Sequence, residues 1–487
     1  MKYTPRTKPF RHQATATLRA AKARNHAVFF EPRLGKSKTA LDYVGILALK
    51  GELRRVVIFG PKIALDVWKG QLHEHFAYTY TAETFTEEWS VNSRPEPRIE
   101  FFLAGREETF RAERVQYKTR SGRTRSKLVR RKQDEIEAWD PDAIIVDESH
   151  EYKRPGGRGA QDAWRLVSRL RLQRRARGAH GPYVLLLSGT PSPRGWRDLF
   201  AQFRIMDPTL LGTSVGSFDE QYCVYGQGPR KYTIIRYRNL ARLKRILREH
   251  STVCSAAKAG LDGKIFFQSL RVDLPERVRA KYVEMVEDFV TEVDGELLTA
   301  KNQGVKRLRL QQVTGGFTTS GREIHREKVE ELRGWLNLLR SQGEHVVVGA
   351  RFSPEVRACG MVAKECGFNT AIIDGSTSSV DRVKAIRAFQ TSTKPSALVF
   401  QIQAGSRAIE LSRAAELVFY SLPDGWVDFW QFLNRVRGPN QKRPVRVSAI
   451  LARGSVDISG LASLRRKENM HGEMMRSPRR YLLGLIQ

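Results

Sequence analysis

The chain has 487 residues, 41% of them hydrophobic and 28% charged, which suits a globular protein of about three domains. Its 84 Lys and Arg against 52 Asp and Glu give a formal net charge of +32, which favours a polyanionic partner, above all nucleic acid. We expect no membrane span, because no apolar run is long enough, and no signal peptide, because the basic N-terminus is not followed by an apolar core. We also expect no zinc site, because the four cysteines lack the spacing of zinc ligands.

The first half alternates strands and helices in a β-loop-α-β pattern. Its pattern predicts helices at 13–24, 37–50, 63–76 and about 160–171, and strands at 27–30, 55–59, 143–146 and 183–187. Residues 80–103 are less regular. Residues 206–262 are turn-rich and partly helical, and we expect them to form a bridge between two halves.

Residues 111–132 form the most basic segment of the first half. They contain ten Lys or Arg and one acid, Glu113. The alternation on either side of Ser121 and Gly122 predicts a hairpin. The segment is either a solvated insertion or an element that tracks phosphates through residues such as Arg120, Arg123 and Arg125. A second basic run, Arg165 to Arg177, is likewise a solvated helix face or a DNA track.

The second half repeats the alternation and predicts a second parallel sheet. Helices are expected at about 276–294, 302–312, 327–341, 354–366, 380–389 and 426–437, and strands at 345–349, 370–373, 397–401, 417–420 and 445–451. The predicted organisation is a first lobe (1–205, with a basic insertion at about 104–135), a bridge (206–262), a second lobe (263–455) and a basic C-terminal tail (456–487).

A phosphate-binding loop is predicted between the first strand and its helix. Gly35 lets backbone amides close around phosphate oxygens, Lys36 supplies a positive charge and the Ser37 hydroxyl reaches Mg²⁺. The full pattern has Gly or Ala at the position of Phe30. A surface turn that matches by chance is the alternative.

Two acids follow the predicted strand 143–146. Ligands of open α/β sheets bind at the carboxyl ends of strands. There Asp147 can hold Mg²⁺, and Glu148 can orient a water for attack on a phosphate.

Taken in order, these segments resemble the motifs of superfamily 2 helicases and translocases, closest to the Swi/Snf-like branch and to its compact phage and bacterial forms. The resemblance spans roughly residues 5–452. It rests on segments 10–13, 56–68, 147–150, 187–191 and 202–208 in the first half, and on 311–317, 346–352, 374–378, 401–411 and 431–441 in the second. It implies an α/β fold of two RecA-like parallel-sheet lobes with an ATP cleft between them.

The resemblance also implies roles for individual residues at an ATP and Mg²⁺ site. Gln13 would read adenine, while Ser37 and Asp147 would hold the metal. Ser188, Thr190 and His150 would couple the nucleotide state to DNA contact; for His150 this is preferred to metal ligation. From the second lobe, Gln431 and Arg435 would complete the cleft.

Further residues are expected at the nucleic acid. The resemblance suggests Lys62, Arg351, Thr377 and Gln401 for this role. The implied activity is ATP-dependent translocation along DNA, with duplex preferred and single strands open, in replication, repair or recombination, with a protein partner from those processes. The alternatives are a DNA-binding scaffold with weak or no ATPase and an RNA-directed helicase. The implied location is the cytoplasm of a prokaryote or of a phage-infected cell.

Three positions depart from the family pattern. Arg33 stands where a glycine is usual in the phosphate loop, and Ser406-Arg407-Ala408 replaces a glycine-rich stretch. The second arginine of the last motif is Gly438, with Arg437 directly before it. Arg437 is the candidate to serve as the arginine finger, and without a finger hydrolysis would fall about 10³–10⁵-fold.

Overall fold

The structure, a computed structural model, describes residues 3–91, 97–118, 124–228, 231–260, 263–288, 290–293, 296–299, 303–403, 411–437 and 440–475. The chain divides between Ala259 and Gly260 into two compact units, apart from a few residues near its end. Along the described part of the chain, none of the helices combines the length and apolar character that a bilayer crossing requires.

Among the described residues, the first unit contains one large sheet and two two-stranded sheets. Its elements in chain order are α1 (Arg11–Ala23), β1 (His26–Phe30), α2 (Lys36–Leu49), β2 (Arg55–Gly60), α3 (Lys62–His75), β3 (Tyr80–Glu83), β4 (Glu88–Val91), β5 (Ile99–Gly105), α4 (Arg106–Thr109), β6 (Glu113–Lys118), β7 (Thr124–Val129), α5 (Arg131–Trp139), β8 (Ala143–Val146), a 3₁₀ helix (Ser149–Tyr152), α6 (Arg158–Ala176), β9 (Tyr183–Ser188), α7 (Asp198–Met206), α8 (Val215–Tyr222), β10 (Cys223–Tyr225), β11 (Ile234–Tyr237), α9 (Leu240–His250) and β12 (Ser251–Cys254).

The large sheet has eight strands in the order β12-β1-β9-β8-β2-β5-β3-β4. Its pairings are parallel except that of β3 with β4. β1 and β8 are buried along their whole length, as expected for apolar strands covered by helices on both faces. The predicted β-loop-α-β pattern is therefore confirmed, and the irregular region 80–103 holds three further strands.

The segment predicted as a bridge belongs, as far as Ala259, to the first unit. Its strand β12 pairs in parallel with β1, with Ser251 opposite Ala27 and Cys254 opposite Phe30. Leu243 of α9 is buried in the same hydrophobic core that lies under α6 and α7. The difference arises because β12 is short and mixed in composition, so only its long-range pairing with β1 identifies it as a strand.

The second unit is a six-stranded, fully parallel sheet with helices, in the order β13-β20-β19-β16-β18-β17. Its elements are β13 (Ile265–Val272), α10 (Glu276–Asp288), β14 (Val290–Val293), β15 (Glu296–Thr299), α11 (Gln303–Gly315), α12 (Glu327–Ser341), β16 (Val346–Ala350), α13 (Ser353–Glu365), β17 (Asn369–Ile373), α14 (Ser379–Thr391), β18 (Ser396–Gln401), β19 (Glu416–Phe419), α15 (Trp426–Val436), β20 (Val445–Ala452) and α16 (Val456–Met475).

The prediction of two α/β units with parallel sheets is confirmed. Two separate apolar clusters cover the faces of the second sheet. The segment predicted as a basic tail begins instead with helix α16, which buries Leu461 and Leu464 in one of these clusters. The remaining tail, 476–487, lies outside the described residues.

Candidate functional site

The strand order of the first unit gathers the predicted motifs along one edge of its sheet. The central strands β1, β9, β8 and β2 are neighbours and run in parallel, so their carboxyl ends share that edge. The phosphate loop follows β1, Ser188 ends β9, Asp147 follows β8 and the exposed Lys62 begins the helix after β2. This edge is where open parallel sheets bind ligands.

The loop between β1 and α2 has the backbone of a phosphate-binding turn. Gly35 caps α2 in the left-handed region, with φ of 78°. A Cβ at Gly35 would lie 2.2 Å from Nε2 of Gln13, so glycine is required at this position. Lys36 Nζ donates to the carbonyl of Phe30 at 3.3 Å, which holds the ammonium over the loop. Ser37 is the second residue of α2.

The backbone conformation at Arg33 is one that favours glycine, the residue usual at this position of the family pattern. Its backbone is left-handed, with φ of 67°, a conformation that costs a side-chain-bearing residue roughly 1–2 kcal/mol. The chain accepts this because the loop is braced from the neighbouring strand. The Glu31 amide donates to the Cys254 carbonyl at 3.0 Å, and the Ala256 amide donates to Oε2 of the buried Glu31 at 2.9 Å.

Gln13 packs against the phosphate loop. Its Nε2 donates to the Leu34 carbonyl at 3.1 Å, and its Oε1 accepts from the Phe10 amide at 2.9 Å. His12 also contacts the Leu34 carbonyl, at 2.9 Å. The predicted adenine-reading motif is thus attached directly to the loop that it would serve.

The carboxyl group of Asp147 is held by two donors. The Trp68 indole donates to Oδ2 at 2.9 Å, and the Glu148 amide donates to Oδ1 at 2.9 Å. Burial and the adjacent Glu148 charge raise the pKa of Asp147 to about 6, opposed by the Trp68 hydrogen bond and the Lys36 charge. Lys36 is therefore close enough to influence the acid electrostatically.

Glu148 and His150 connect the acidic turn to the end of β9. Glu148 has a left-handed backbone, with φ of 49°, and its Oε2 lies 3.2 Å from Nδ1 of the buried His150. The same nitrogen lies 3.0 Å from Oγ of Ser188. Ser188 Oγ in turn accepts from the Thr190 amide at 3.1 Å. The three residues predicted to couple the motifs are therefore in contact.

A second, unpredicted connection runs through Gln202 of α7. Its Oε1 accepts from the Ser149 hydroxyl at 2.8 Å, and its Nε2 donates to the Pro191 carbonyl at 2.6 Å. Gly189 packs against the phosphate loop, where an added Cβ would lie 3.2 Å from the Pro32 ring. Direct contacts therefore join the acidic turn, the end of β9 and the phosphate loop.

The predicted arginines of the second unit lie at the end of α15. Gln431 is partly exposed on this helix, whereas Arg435 and Arg437 are only 3% and 4% exposed. The Arg435 guanidinium lies 5.9 Å from the Phe400 ring centre, and that of Arg437 lies 5.9 Å from Trp430. The helix ends at Val436, so Arg437 leaves it in an extended conformation. Gly438 lies outside the described residues, as do Ser406, Arg407 and Ala408.

Arg351, predicted to contact nucleic acid, is held by partners within the second unit, and its role at DNA stays a prediction. Its guanidinium pairs with Asp424 at 2.5 Å and also bonds Gln311. Arg307 and Gln311 each donate to Asp424 at 3.0 Å, and these partners hold the pKa of Asp424 below its usual value against its burial. The contacts of Arg351 are those of a structural ion pair, formed because Asp424 lies next to it in the fold.

Gln401 and Thr377 organise one loop of the second unit. Gln401 Oε1 accepts from the Gly375 amide at 3.0 Å, which joins the end of β18 to the turn before α14. Thr377 Oγ1 accepts from the Asp374 amide at 3.0 Å. Their predicted role at nucleic acid stays a prediction, as does that of Lys62.

The predicted basic hairpin is confirmed in its strands, β6 and β7, which pair antiparallel. Arg120 and Arg123 lie outside the described residues, and Arg125 is described only as a backbone position in β7.

Sequence reasoning missed three contacts of this site. The bond from Trp68 to Asp147, the brace of Glu31 by Ala256 and the link through Gln202 join residues far apart in the chain. Trp68 carried a signal as part of the segment 56–68, and Gln202 carried one as the first residue of the segment 202–208, because both segments resemble family motifs.

Similar proteins agree with the motif order. A family described as "Helicase conserved C-terminal domain" matches residues 327–438. "SWI/SNF-related matrix-associated actin-dependent regulator of chromatin subfamily A-like protein 1" of Xenopus laevis is 27% identical over 334 residues, which are 64% of this chain and 31% of that protein. "DNA annealing helicase and endonuclease ZRANB3" of Mus musculus is 24% identical over 339 residues, which are 68% of this chain and 30% of that protein.

Among solved structures, the "Sulfolobus solfataricus SWI2/SNF2 ATPase core in complex with dsDNA" is 18% identical, and the match covers 98% of this chain and 96% of that one. Its TM-score is 0.42. The chain spans less than a third of the length of the two curated relatives.

Fold and site together define the class: an α/β protein of two parallel-sheet units, with a phosphate loop beside a paired acidic turn in the first. Within this class, the family match and the two curated relatives support the resemblance of this chain to superfamily 2 helicases of the Swi/Snf-like branch. The relatives named above are vertebrate proteins, so the expected phage or bacterial form stays a prediction.

Proposed function

We propose that this protein is a DNA-stimulated ATPase that moves along DNA, with duplex as its preferred track. The observation that carries the proposal is the gathering of Lys36, Asp147 and the His150–Ser188 contact along one sheet edge. The net charge of +32 supports a nucleic-acid track, and the mouse relative bears the name of a DNA annealing helicase. Replication, repair and recombination are the processes in which we place it.

The residues of the first unit fit ATP and Mg²⁺. The α2 N-terminus, Gly35 and Lys36 provide amide donors and a positive charge for phosphates. The Ser37 hydroxyl and the Asp147 carboxylate are the hard oxygen ligands that Mg²⁺ accepts alongside phosphate oxygens. Among the described residues, no group of three or more His, Cys, Asp or Glu side chains is placed to hold a metal by itself. A metal that arrives with a nucleotide suits such a site.

Each residue of the site takes a distinct role in the proposal. Bound Mg²⁺ would neutralise charge on the phosphates, which is the largest part of catalysis in phosphoryl transfer. Glu148 orients the attacking water, and Gln13 contacts adenine. His150, Ser188 and Thr190 transmit the state of the site to the DNA-binding surfaces.

The second unit supplies the remaining groups. Gln431, Arg435 and Arg437 act on the nucleotide from α15 and its C-terminal end, so that hydrolysis depends on movement between the units. Lys62, Thr377 and Gln401 contact the DNA.

The proposal is tested by ATP turnover with and without duplex DNA. We expect stimulation by DNA in the wild type and a loss of about 10²–10⁴-fold in Glu148→Gln, because the water loses its orienting base. Lys36→Ala should lose nucleotide binding as well. Lys50→Ala, which removes an exposed lysine just after the same helix, is the matched control and should retain full turnover.

The same assay separates the alternatives. A scaffold that only binds DNA would show binding without turnover on any nucleic acid. An RNA-directed helicase would be stimulated by RNA and not by duplex DNA. Either result would overturn the proposed translocase.

A further inference from the structure

The basic hairpin of the first unit forms a two-stranded ribbon that stands apart from the main sheet. β6 and β7 pair over six positions, from Glu113 opposite Val129 to Lys118 opposite Thr124. They form a sheet of their own, inserted between α4 and α5. At about 3.3 Å per residue, the ribbon is about 20 Å long.

Burial of apolar side chains does not account for the ribbon. Among its described side chains, those of β6 are exposed on both faces except for the partly exposed Val115, and none belongs to the hydrophobic core of the unit. The other small ribbon, β10–β11, differs because Tyr225, Ile234 and Tyr237 pack against that core. An isolated two-stranded hairpin is marginally stable at best in water. The β6–β7 ribbon therefore costs stability unless a partner covers it.

The charge of the ribbon is not neutralised by its surroundings. Within the described part of the chain, no carboxylate pairs with Arg114 or Lys118, which share one face of β6, and Glu113 pairs with Arg131 at 3.8 Å. The second basic run differs, because three of its arginines pair with carboxylates: Arg169 with Glu137 at 2.7 Å, Arg174 with Asp142 at 2.5 Å and Arg177 with Asp140 at 3.0 Å. Whether this run is a solvated face or a DNA track stays an open prediction.

Both ends of the ribbon are anchored in the unit. On one side the buried Phe110 ring lies 5.5 Å from Phe59 and 6.2 Å from Tyr152, in the turn that follows the acidic pair. On the other side Ile136 of α5 is fully buried. The ribbon is therefore held at a defined place and differs from a flexible basic tail.

We infer that the β6–β7 ribbon is an arm that binds the phosphate backbone along a groove of duplex DNA, independently of base sequence. Its unpaired positive charge matches a polyanion, and a two-stranded ribbon has the width that the major groove of B-form DNA admits, about 12 Å. The inference rests on the proposed function, since it adds a contact to the DNA track of that motor. No base is read by this arm, because its role is to hold the duplex.

The test compares two triple variants with the same loss of charge. The arm variant carries Arg111→Gln, Arg114→Gln and Lys118→Gln, three exposed positions at the base and in the first strand of the ribbon. The control carries Arg54→Gln, Arg169→Gln and Arg177→Gln, three arginines of the same unit that pair with carboxylates; Arg54 and Arg177 are exposed and Arg169 is partly exposed. DNA affinity is measured without nucleotide, by fluorescence anisotropy on a duplex of about 30 base pairs at several salt concentrations.

The arm variant should flatten the plot of log affinity against log salt by about 2–3 units, because each lost phosphate contact removes about 0.9 from the slope. The control should keep the wild-type slope. An unchanged slope in the arm variant, or an equal change in the control, would overturn the inference. An equal effect on double-stranded RNA would also overturn it, since the narrow major groove of that duplex does not admit the ribbon.

The outcome is separable from that of the proposed function. If the arm variant flattens the salt slope but the wild type shows no DNA-stimulated turnover, the inference about the arm stands and the proposed function fails. If the wild type shows DNA-stimulated turnover but the salt slope of the arm variant is unchanged, the proposed function stands and the inference about the arm fails. Thermal unfolding of both variants verifies that these exposed substitutions leave the fold intact.

Discussion

At the scale of single residues, the surroundings of Asp147 have opposing effects on the pKa of its carboxyl group. Burial and the neighbouring Glu148 disfavour its charge, whereas the Trp68 indole and the Lys36 ammonium favour it. The result is a carboxyl with a pKa of about 6 in the absence of metal. A bound divalent cation favours the charged form further, so we expect metal binding to deprotonate the Asp147 carboxyl group.

This balance predicts how Mg²⁺-dependent nucleotide binding depends on pH. Binding requires the carboxylate, so affinity should be constant above the pKa of Asp147 and fall as the pH drops through about 6. Glu148→Gln removes the neighbouring negative charge and should move this midpoint to lower pH. Titration of a fluorescent ADP analogue with Mg²⁺ across pH 5–8 measures both midpoints. Coincident midpoints would show that Glu148 does not control the pKa of Asp147.

A second residue-scale prediction concerns the left-handed backbone of Arg33. Arg33→Gly and Arg33→Ala remove the same side-chain interactions, but only glycine adopts a φ of 67° without strain. Arg33→Gly should therefore be about 1 kcal/mol more stable than Arg33→Ala. Chemical denaturation of the two variants gives the difference. Equal stabilities would mean that the loop relaxes to another backbone conformation when the side chain is removed.

At the scale of elements, the phosphate loop depends on a strand that sequence analysis placed outside the first lobe. β12 lies beside β1, and the chain just after it donates to Glu31 of the loop. Predictions succeeded where apolar runs were long: β1, β8 and β16 were each located to within a residue or so. β12 and the partly exposed edge strand β13 lack such runs, so their neighbours in the sheet decide their conformation.

The same reasoning explains which site residues were predictable. Lys36, Asp147 and His150 belong to short segments whose chemistry is local, so their positions followed from sequence alone. The ion pair of Arg351 could not be predicted in this way, because its partner Asp424 is distant in the chain and becomes a neighbour only in the fold. A residue type within a motif indicates chemistry, but the contacts of the folded chain decide whether its charge is available.

The ion pair of Arg351 carries a prediction for the segments it joins, the end of β16 and the loop before α15. Arg351→Gln should lower the stability of the second unit by about 1–2 kcal/mol, because a hydrogen-bonded pair with Asp424 is lost. It should leave the salt dependence of DNA affinity unchanged. Calorimetry and DNA titrations measure the two effects.

Lys62→Gln is the matched comparison, since Lys62 is exposed at the start of α3. It should leave stability unchanged and reduce the salt slope by about one unit. The reverse pattern, with Arg351 changing the slope, would restore Arg351 as a DNA contact.

At the scale of the whole molecule, hydrolysis in the proposed mechanism needs groups from both units. The first supplies the phosphate loop and acids, and the second supplies Arg435 and Arg437 at the end of α15. The two arginines are not equivalent, because Arg435 lies within the helix and Arg437 has left it in an extended conformation. The Arg437 guanidinium lies 5.9 Å from the Trp430 ring centre, and its role as the finger is part of the proposal.

Arg437→Ala should therefore lower DNA-stimulated turnover by about 10³–10⁵-fold while nucleotide affinity stays near that of the wild type. Arg437→Lys should not restore turnover, because a lysine lacks the planar, forked guanidinium that stabilises the transferring phosphate. Single-turnover kinetics beside equilibrium nucleotide binding separate the two effects, and thermal unfolding controls for the loss of a buried side chain. If Arg437→Ala retains full turnover, the finger role passes to Arg435, and Arg435→Ala becomes the variant that separates binding from hydrolysis.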